Sequence, residues 1–486
     1  VSMIIHAQTF YFGNDLSYVN QMEDCGAIFK ENGEPKDVYQ IFADHGCNLV
    51  RVRLWVDPSW WQSPINQPEG VKSFYNDFED VKETILRSKT AGMQVLLDFH
   101  YSDFWADPGR QLIPQRWMDV ADDLDALKDS VYQYTTAVLT KLNKAGLMPE
   151  MVQVGNETNG GMLSQISEAG KFEPAKRISN DWTRHAELFN TAIQAVRNVG
   201  KTASVNPKIV IHFADRLSRQ AGHFQNVIDH GVTDFDIMGI SYYVAWHRGN
   251  IQLLESTMRD LLKTFPGFEM MVVETGYPWS TENFDSLMNI VTVPDSAYLP
   301  VIPEKQLEYL VDYTRAVMRG GGSGVIFWEP AWVSTPCRTP WGQGSSHDHL
   351  AFFDPVETNF INNGGGRWSE AHFYKDIHFP KVTFKIDMTN IDVSKGVYIA
   401  GTFSEEPWEL IPMTDLGNQK YGYFTYLPEG YTGGFYFLND RGLQAREILS
   451  PDCMTWEGKA RAFEVTGGNM MLEYSWEICV PVNGTN

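Results

Sequence analysis

The chain has little positive charge, no long apolar runs and no cysteine motifs. Its 486 residues include 39 Lys and Arg against 61 Asp and Glu, which gives a formal net charge of −22. Without a basic surface, binding to nucleic acid is not expected, and a neutral partner is favoured. No stretch reaches the roughly 18 apolar residues of a membrane-spanning helix, so we expect no membrane span.

Cysteine is also scarce, with five residues and no C-x-x-C spacing. The odd number leaves at least one thiol unpaired. We expect buried, unpaired side chains, with a bridge between Cys453 and Cys479 as the alternative. The chain begins without a basic segment ahead of an apolar one, so any export signal is predicted to be removed or absent.

Short apolar runs alternate with helical patterns along most of the chain. The runs are residues 3–7, 49–55, 93–99, 151–154, 209–213, 237–243, 270–273 and 324–328. Apolar strands alternating with one-sided helices indicate a parallel sheet covered by helices. Eight units predict a (β/α)8 barrel, of class α/β, over residues 1–378. The absence of G-x-G-x-x-G after an early strand argues against an open nucleotide-binding sheet.

A different pattern follows residue 378. Apolar and polar residues alternate at 382–388, and similar short strands are predicted at 397–400, 421–427 and 435–438. We predict a small antiparallel β-sandwich over residues 379–486.

Polar side chains follow most of the predicted barrel strands. In such a barrel the active site lies at the carboxyl ends of the strands. Glu157 directly follows strand four and Glu274 follows strand seven, nearly opposite around the ring. Two carboxylates facing one cleft are typical of glycoside cleavage, and a separation of about 5 to 5.5 Å would give retention of configuration. Trp and Tyr beside polar loops add platforms on which sugar rings stack.

Six segments make the chain similar to the endo-β-1,4-galactanases of glycoside hydrolase family 53. They are RVRLWVDP (51–58), LLDFHYSDFWADPGRQ (96–111), VQVGNETNGGML (152–163), ISYYVAWH (240–247), VVETGYPW (272–279) and GVIFWEPAW (324–332). The resemblance implies that Glu157 is the acid/base and Glu274 the nucleophile. It also implies a set of substrate-binding residues, namely Arg51, His100, Asp103, Trp105, Asn156, Tyr242, His247 and Trp328.

Several of these residues have a specific expected role. Asn156 is expected to hold the sugar 2-hydroxyl, and Arg51 to lower the pKa of Glu274. Tyr242 is expected to hydrogen-bond Glu274. An apolar wall including Trp328 is expected to raise the pKa of Glu157.

No cofactor or metal is predicted. Some family members bind calcium after strand seven, but residues 280–285 lack the required ligand spacing. The cluster of His347, Asp348 and His349 resembles a metal site without a third spaced ligand. The preceding segment, residues 341–346, resembles the last loop of the family, and we expect that segment to shape the cleft.

The C-terminal segments VYIAGTFSEEPWELIPM (397–413) and LPEGYTGGFYFLND (427–440) resemble glycogen- and starch-binding modules. Trp408, Tyr431 and Trp456 could stack on sugars or fill a small core, and the sequence does not separate these roles.

The sequence thus predicts a retaining endo-hydrolase of β-1,4-galactan, the neutral side chain of pectin. The alternatives are a related enzyme that cuts mannan, cellulose or xylan, and a non-catalytic galactan-binding protein. Because polymers do not enter cells intact, export or display at the cell envelope is expected. A monomer is expected.

Overall fold

The computed structural model describes residues 10–361, 365–374, 376–404 and 406–482. The chain folds into two compact units, Val1–Phe373 and Tyr374–Asn486. Each unit has its own apolar core.

Eight parallel strands of the first unit form a closed barrel, which confirms the predicted α/β barrel. In ring order, β1 lies between β8 and β2, and the remaining strands follow in sequence. The strands are β1 (Tyr11–Asp15), β2 (Leu49–Leu54), β3 (Gln94–Phe99), β4 (Met151–Val154), β5 (Lys208–Ala214), β6 (Ile237–Ser241), β7 (Glu269–Thr275) and β8 (Gly324–Phe327). The run at residues 3–7 lies outside the described residues, and the first barrel strand is the later Tyr11–Asp15.

Helices cover the outside of the barrel. They are α1 (Val19–Asp24), α2 (Val38–Asp44), α3 (Ser59–Gln62), α4 (Phe78–Thr90), α5 (Leu124–Lys144), α6 (Trp182–Gly200), α7 (Leu217–Asp229), α8 (Val244–His247), α9 (Ile251–Thr264) and α10 (Pro303–Arg319). Several begin at a side chain that accepts a hydrogen bond from the first turn, including Asp77, Asp123 and Asn250. A short 3-10 turn, Ala371–Tyr374, follows later in the chain.

The loops add three two-stranded hairpins and further short 3-10 turns. The hairpins pair Lys30–Glu31 with Glu34–Pro35, Gln165–Ser167 with Pro174–Arg177, and Arg338–Thr339 with Gly342–Gln343. The 3-10 turns of this unit, besides the last, are Gln115–Val120, Ser296–Tyr298, Asp348–Leu350 and Gly365–Arg367.

The barrel interior is filled in layers, because alternate residues of each strand point inward. One buried apolar cluster is contributed by seven strands: Leu49, Leu96, Met151, Val210, Ile237, Met271, Val273 and Ile326. Two residues further along four of these strands lie inward-facing polar side chains, namely Arg51, Asp98, Gln153 and His212; on β6 that position is Gly239, and the polar Ser241 follows two residues later. A polar layer therefore lies directly above an apolar layer, at the carboxyl ends of the strands.

The second unit is a sandwich of two four-stranded sheets. The strands are β9 (Lys381–Asp387), β10 (Tyr398–Gly401), β11 (Ile411–Pro412), β12 (Thr414–Asp415), β13 (Lys420–Tyr426), β14 (Thr432–Leu438), β15 (Arg461–Glu464) and β16 (Met470–Ser475). One sheet has the order β12-β13-β9-β16 and the other β11-β10-β14-β15. The expectation of a wholly antiparallel sandwich is wrong in one place, because β9 and β16 pair in parallel. The unit also contains the 3-10 turns Leu443–Ala445 and Pro451–Cys453.

Two disulfide bonds are present. Cys453 and Cys479 are bonded, as the alternative prediction allowed. Cys25 and Cys337, expected as unpaired side chains, are bonded across 312 residues of sequence. Closure of the barrel brings the loops after β1 and β8 together, which a linear sequence does not reveal. Cys47 is a buried free thiol.

None of the helices in the described part of the chain combines the length and apolar character needed to cross a membrane.

Candidate active site

Glu157 lies in a tight turn directly after β4. Gly155 has a φ of 78° and Glu157 itself a φ of 47°, so the backbone turns through the left-handed region at both residues. A Cβ at Gly155 would lie 2.6 Å from Thr158 Cγ2, which makes glycine necessary there. The turn places Glu157 at the cleft.

Glu274 lies within β7, where the strand pairing is irregular. The register with β6 shifts at Ile240 and Ser241, and the register with β8 shifts between Val272 and Thr275. Bulges of this kind re-aim side chains. Strict alternation would point only one of the neighbouring residues Val273 and Glu274 into the barrel. Because of the irregularity, Glu274 points inward as well.

The two carboxylates are close together. Oxygen atoms of Glu157 and Glu274 and a ring nitrogen of His212 lie within 4.8 Å of one another. These are also metal-ligand atom types, but in this structure both ring nitrogens of His212 have protein hydrogen-bonding neighbours.

Arg51 connects Glu274 to the polar layer. Its Nη1 donates to Glu274 Oε2 at 3.0 Å and to Asp15 Oδ2 at 3.1 Å. Its Nη2 donates to Asp98 Oδ2 at 2.8 Å and to Asn156 Oδ1 at 2.6 Å. The guanidinium thereby fixes one oxygen of Glu274.

The second oxygen of Glu274 is held by Tyr243 and not by Tyr242, which corrects the prediction. The Tyr243 hydroxyl donates to Glu274 Oε1 at 3.0 Å. Ser241 faces the barrel interior, so alternation places Tyr243 on the same side and Tyr242 on the other. The ring of Tyr242 instead stacks on Tyr313 of α10, with centroids 6.0 Å apart.

The electrostatic environments of the two carboxyl groups differ. Burial raises the pKa of Glu157 well above its usual value, and the charge of Glu274 raises it further. Burial also raises the pKa of Glu274, while Arg51 and the Tyr243 hydrogen bond lower it. Arg51 therefore lowers the pKa of Glu274, as expected, but does not outweigh the effect of burial. Glu157 is the carboxyl group that keeps its proton more readily.

The cleft above the polar layer has a volume of about 530 Å³, and its lining includes four tryptophans beside charged and aliphatic side chains. Five predicted binding residues line it: Arg51, His100, Trp105, Asn156 and Trp328. Further lining residues that the sequence reasoning missed include Asp15, Arg53, Arg110, Met288, Ile290, Trp332 and Trp341. Asp107 also lines it.

Asp103 and His247 are not among the residues that line this cleft, contrary to expectation. Asp103 is buried and accepts hydrogen bonds from Trp60 Nε1 at 2.9 Å and from the backbone N–H groups of Gln115 and Asp57. It therefore fastens loops together. Nδ1 of His247 accepts from the backbone N–H of Tyr243 at 3.1 Å, so its ring supports the segment after β6.

The acidic residues of the loops after β7 and β8 make structural hydrogen bonds. Asp285 accepts from the backbone N–H groups of Leu287 and Ser345. The Asp348 carboxylate accepts from Ser334 and from the backbone of Phe284. These contacts join the two loops through protein groups.

The His347 ring packs edge-on against Trp328, with centroids 4.8 Å apart. His347 therefore supports Trp328, which lines the cleft.

A parallel barrel with one carboxyl group after β4, a second on β7 and an aromatic cleft between them defines the class: a barrel glycoside hydrolase. The chain belongs to glycosyl hydrolase family 53, whose family model matches residues 11–363.

Curated relatives and solved structures agree with this membership. The chain is 40% identical over 354 residues to an arabinogalactan endo-beta-1,4-galactanase of Cellvibrio japonicus, covering 72% of this chain and 88% of the relative. It is 32% identical to an endo-beta-1,4-galactanase of Bacillus subtilis over 75% of this chain and 82% of the relative. The family 53 catalytic domain of Ignisphaera aggregans superposes with a TM-score of 0.64 at 27% identity, covering 76% of this chain and 98% of that one.

Proposed function

We propose that the protein is a retaining endo-hydrolase that cleaves β-1,4-galactosidic bonds in galactan side chains of pectin. Glu157 is the acid/base and Glu274 the nucleophile. The observation that carries this proposal is that an oxygen of Glu157 and an oxygen of Glu274 lie within 4.8 Å of one another, which fits the short separation of retaining enzymes, about 5 to 5.5 Å, better than the separation of about 6.5 to 9.5 Å in inverting ones. The names of the curated relatives support galactan as the substrate.

The first step is protonation of the glycosidic oxygen by Glu157 while an oxygen of Glu274 attacks the anomeric carbon. The bond to the leaving sugar breaks, and its electron pair takes the proton. Arg51 and Tyr243 hold Glu274 in a fixed orientation for this attack. The product is a galactosyl ester of Glu274.

In the second step Glu157, now ionised, takes a proton from a water that attacks the same carbon, while the bond from that carbon to Glu274 breaks and Glu274 leaves as a carboxylate. Once Glu274 is esterified it carries no charge, so the pKa of Glu157 falls and favours its action as a base. Asn156 donates one amide hydrogen to the carbonyl of Ala106 and keeps a second for the sugar 2-hydroxyl. That contact would strengthen as positive charge develops on the ring.

The cleft suits a neutral chain. Trp105, Trp328, Trp332 and Trp341 offer rings on which sugar faces can stack. The net charge of −22 disfavours an acidic polysaccharide. We further propose that the protein acts as a monomer and without a cofactor.

Incubation with purified galactan, mannan, xylan and a soluble cellulose tests the proposal. We expect reducing ends from galactan alone, with a ladder of galacto-oligosaccharides that appears before galactose. Glu274→Ala should abolish turnover, and Glu157→Ala should reduce it by orders of magnitude. Azide should rescue Glu157→Ala on an activated aryl galactoside. Faster cleavage of another polymer, or no turnover at all, would contradict the proposal.

We propose that the protein is exported. Two disulfide bonds support an oxidising compartment, and a polymeric substrate is encountered outside the cell.

We further propose that the chain divides near residue 378 into the barrel and the sandwich. We also propose that the aromatic residues of the sandwich have a mainly structural role. Trp408 stacks on Tyr436 with centroids 5.3 Å apart and planes 11° apart. Trp456 packs so closely on Gly434 that a Cβ there would lie 2.3 Å from its ring. Both indoles therefore use at least one face within the unit. Retardation of the protein in a gel containing galactan, abolished by Trp408→Ala but not by Glu274→Ala, would favour binding instead.

A further inference from the structure

Glu157 is joined to His212 through the hydroxyl of Ser241. Ser241 Oγ lies 2.7 Å from Glu157 Oε1 and 2.8 Å from His212 Nε2. Ser241 and His212 are both completely buried. A hydroxyl carries one hydrogen, so Ser241 donates to only one of its two neighbours. The protonated nitrogen of His212 therefore sets the direction of this hydrogen-bonded chain.

The other ring nitrogen of His212 faces two N–H groups. The backbone N–H of Glu157 lies 3.3 Å from Nδ1, and the side-chain amide nitrogen of Gln153 lies 3.1 Å away. The two hydrogens of the Gln153 amide also have Asp98 Oδ1 at 2.8 Å and the Gly155 carbonyl at 3.1 Å as acceptors, and Asn156 Oδ1, 2.9 Å from Nδ1, accepts from Arg51. The backbone N–H of Glu157 is therefore the donor that decides the role of Nδ1. A proton on Nδ1 would point toward the backbone N–H of Glu157. That buried N–H would then have no acceptor, which is costly.

His212 therefore carries its proton on Nε2. Burial lowers the pKa of His212 well below its usual value, and the nearby Arg51 cation lowers it further. The ring is thus neutral and has a single proton. With Nδ1 as an acceptor, that proton is on the nitrogen that faces Ser241.

We propose that Ser241 and His212 are positioning residues that keep the acidic proton of Glu157 on Oε2. His212 donates to Ser241, and Ser241 directs its own hydrogen to Oε1 of Glu157. Oε1 is then an acceptor in both protonation states. The acidic proton resides on Oε2, which has no hydrogen-bond partner within the described residues and belongs to a side chain that lines the cleft. The inference rests on the proposed role of Glu157.

The same chain stabilises Glu157 after it has lost its proton. A hydrogen bond to an ionised oxygen is shorter and stronger than one to a neutral oxygen. Removing the Ser241 hydroxyl should therefore increase the proton affinity of Glu157. The other groups that act on Glu157 or His212 stay in place: Glu274, Asp107, Arg51, Asp98, His100 and His247.

The variant Ser241→Ala tests the proposal. We expect the alkaline limb of kcat/KM on galactan to move up by about one pH unit and kcat to fall about tenfold. The fall should be smaller on an aryl galactoside whose leaving group needs no proton. The matched control is Ser88→Ala, since Ser88 is equally buried but donates to the backbone of Thr84 on α4. The control should leave the pH profile unchanged.

A second arm separates positioning from general damage. In the Glu157→Ala background, with azide and the activated aryl substrate, adding Ser241→Ala should change the rate by less than about twofold, because residues that act through one group are not additive. If Ser241→Ala does not fold, as judged by its melting curve, Ser241→Cys replaces it with a weak donor.

An alkaline limb that does not shift in Ser241→Ala would overturn the proposal. An equal loss of rate on adding Ser241→Ala to the wild type and to Glu157→Ala would also overturn it. If Glu157→Ala alone retains full activity on galactan, the proposed role of Glu157 fails first. That result is visible without any change at Ser241.

Discussion

The variant Glu274→Gln should lower the pKa of Glu157. The substitution keeps the shape of the side chain and removes one negative charge whose oxygens lie within 4.8 Å of Glu157. For two charges about 5 Å apart and an effective dielectric constant of about 20, the repulsion is about 3 kcal/mol. This energy corresponds to a decrease of about 2 pKa units. The sign is downward because the charge of Glu274 raises the pKa of Glu157.

Titration by NMR with 13C-labelled glutamate carboxyl groups would measure this shift. The resonance of Glu157 is identified by its disappearance in Glu157→Gln. We expect its midpoint to lie well above that of an ordinary glutamate in the wild type and to fall toward the ordinary value in Glu274→Gln. A surface variant, Glu83→Gln on α4, is the control and should leave the midpoint unchanged. An equal midpoint in the wild type and Glu274→Gln would refute the argument that the two carboxylates are electrostatically coupled.

Three further outcomes are expected. Tyr243→Phe should lower kcat/KM about tenfold because it removes a hydrogen bond to the nucleophile, whereas Tyr242→Phe should leave kcat/KM unchanged. Steady-state kinetics on galactan compare the two variants, and equal effects would contradict the assignment of Tyr243 as the donor to Glu274. Replacing Cys25 and Cys337 with Ala should reduce the free energy of unfolding by about 5 kcal/mol, because the bond closes a very long loop; denaturant unfolding measures it, and an unchanged midpoint would count against this bond. Trp408→Ala should destabilise the sandwich by about 3 kcal/mol through lost packing, seen as a lower melting temperature with unchanged activity per folded molecule; an unchanged melting temperature would indicate that the indole is not a packing residue.

Much of the barrel could be predicted from local pattern alone. Parallel strands buried on both faces are apolar throughout, so the runs from residue 49 onward coincide with observed strands. Because the carboxyl ends of barrel strands meet at one face, Glu157 and Glu274 could also be expected near each other. The resemblance to the family named Trp105 and Trp328 as substrate-binding residues, and both line the cleft.

The errors have two physical causes. The first is side-chain direction. Alternation from Ser241 would have indicated Tyr243 and not Tyr242 as the inward-facing residue, and this signal was present in the sequence. The bulge near Glu274 could not be predicted from the sequence, because it depends on the pairing of β7 with both of its neighbouring strands.

The second cause is that polar side chains in loops have several competing uses. Asp103 and Asp107 lie four residues apart in the same loop, yet Asp103 is used by loop hydrogen bonds while Asp107 lines the cleft. Local composition does not distinguish these outcomes.

The sequence by itself determined the periodicity of the strands and helices, and with it the barrel and the residue types at its active face. Periodicity is a local property, set by which side chains must be buried along each element. Only the tertiary structure decided which atoms meet, such as Ser241 with Glu157, Tyr243 with Glu274 and Cys25 with Cys337. These contacts join residues between 31 and 312 positions apart, and their geometry depends on barrel closure, strand register and the bulge in β7.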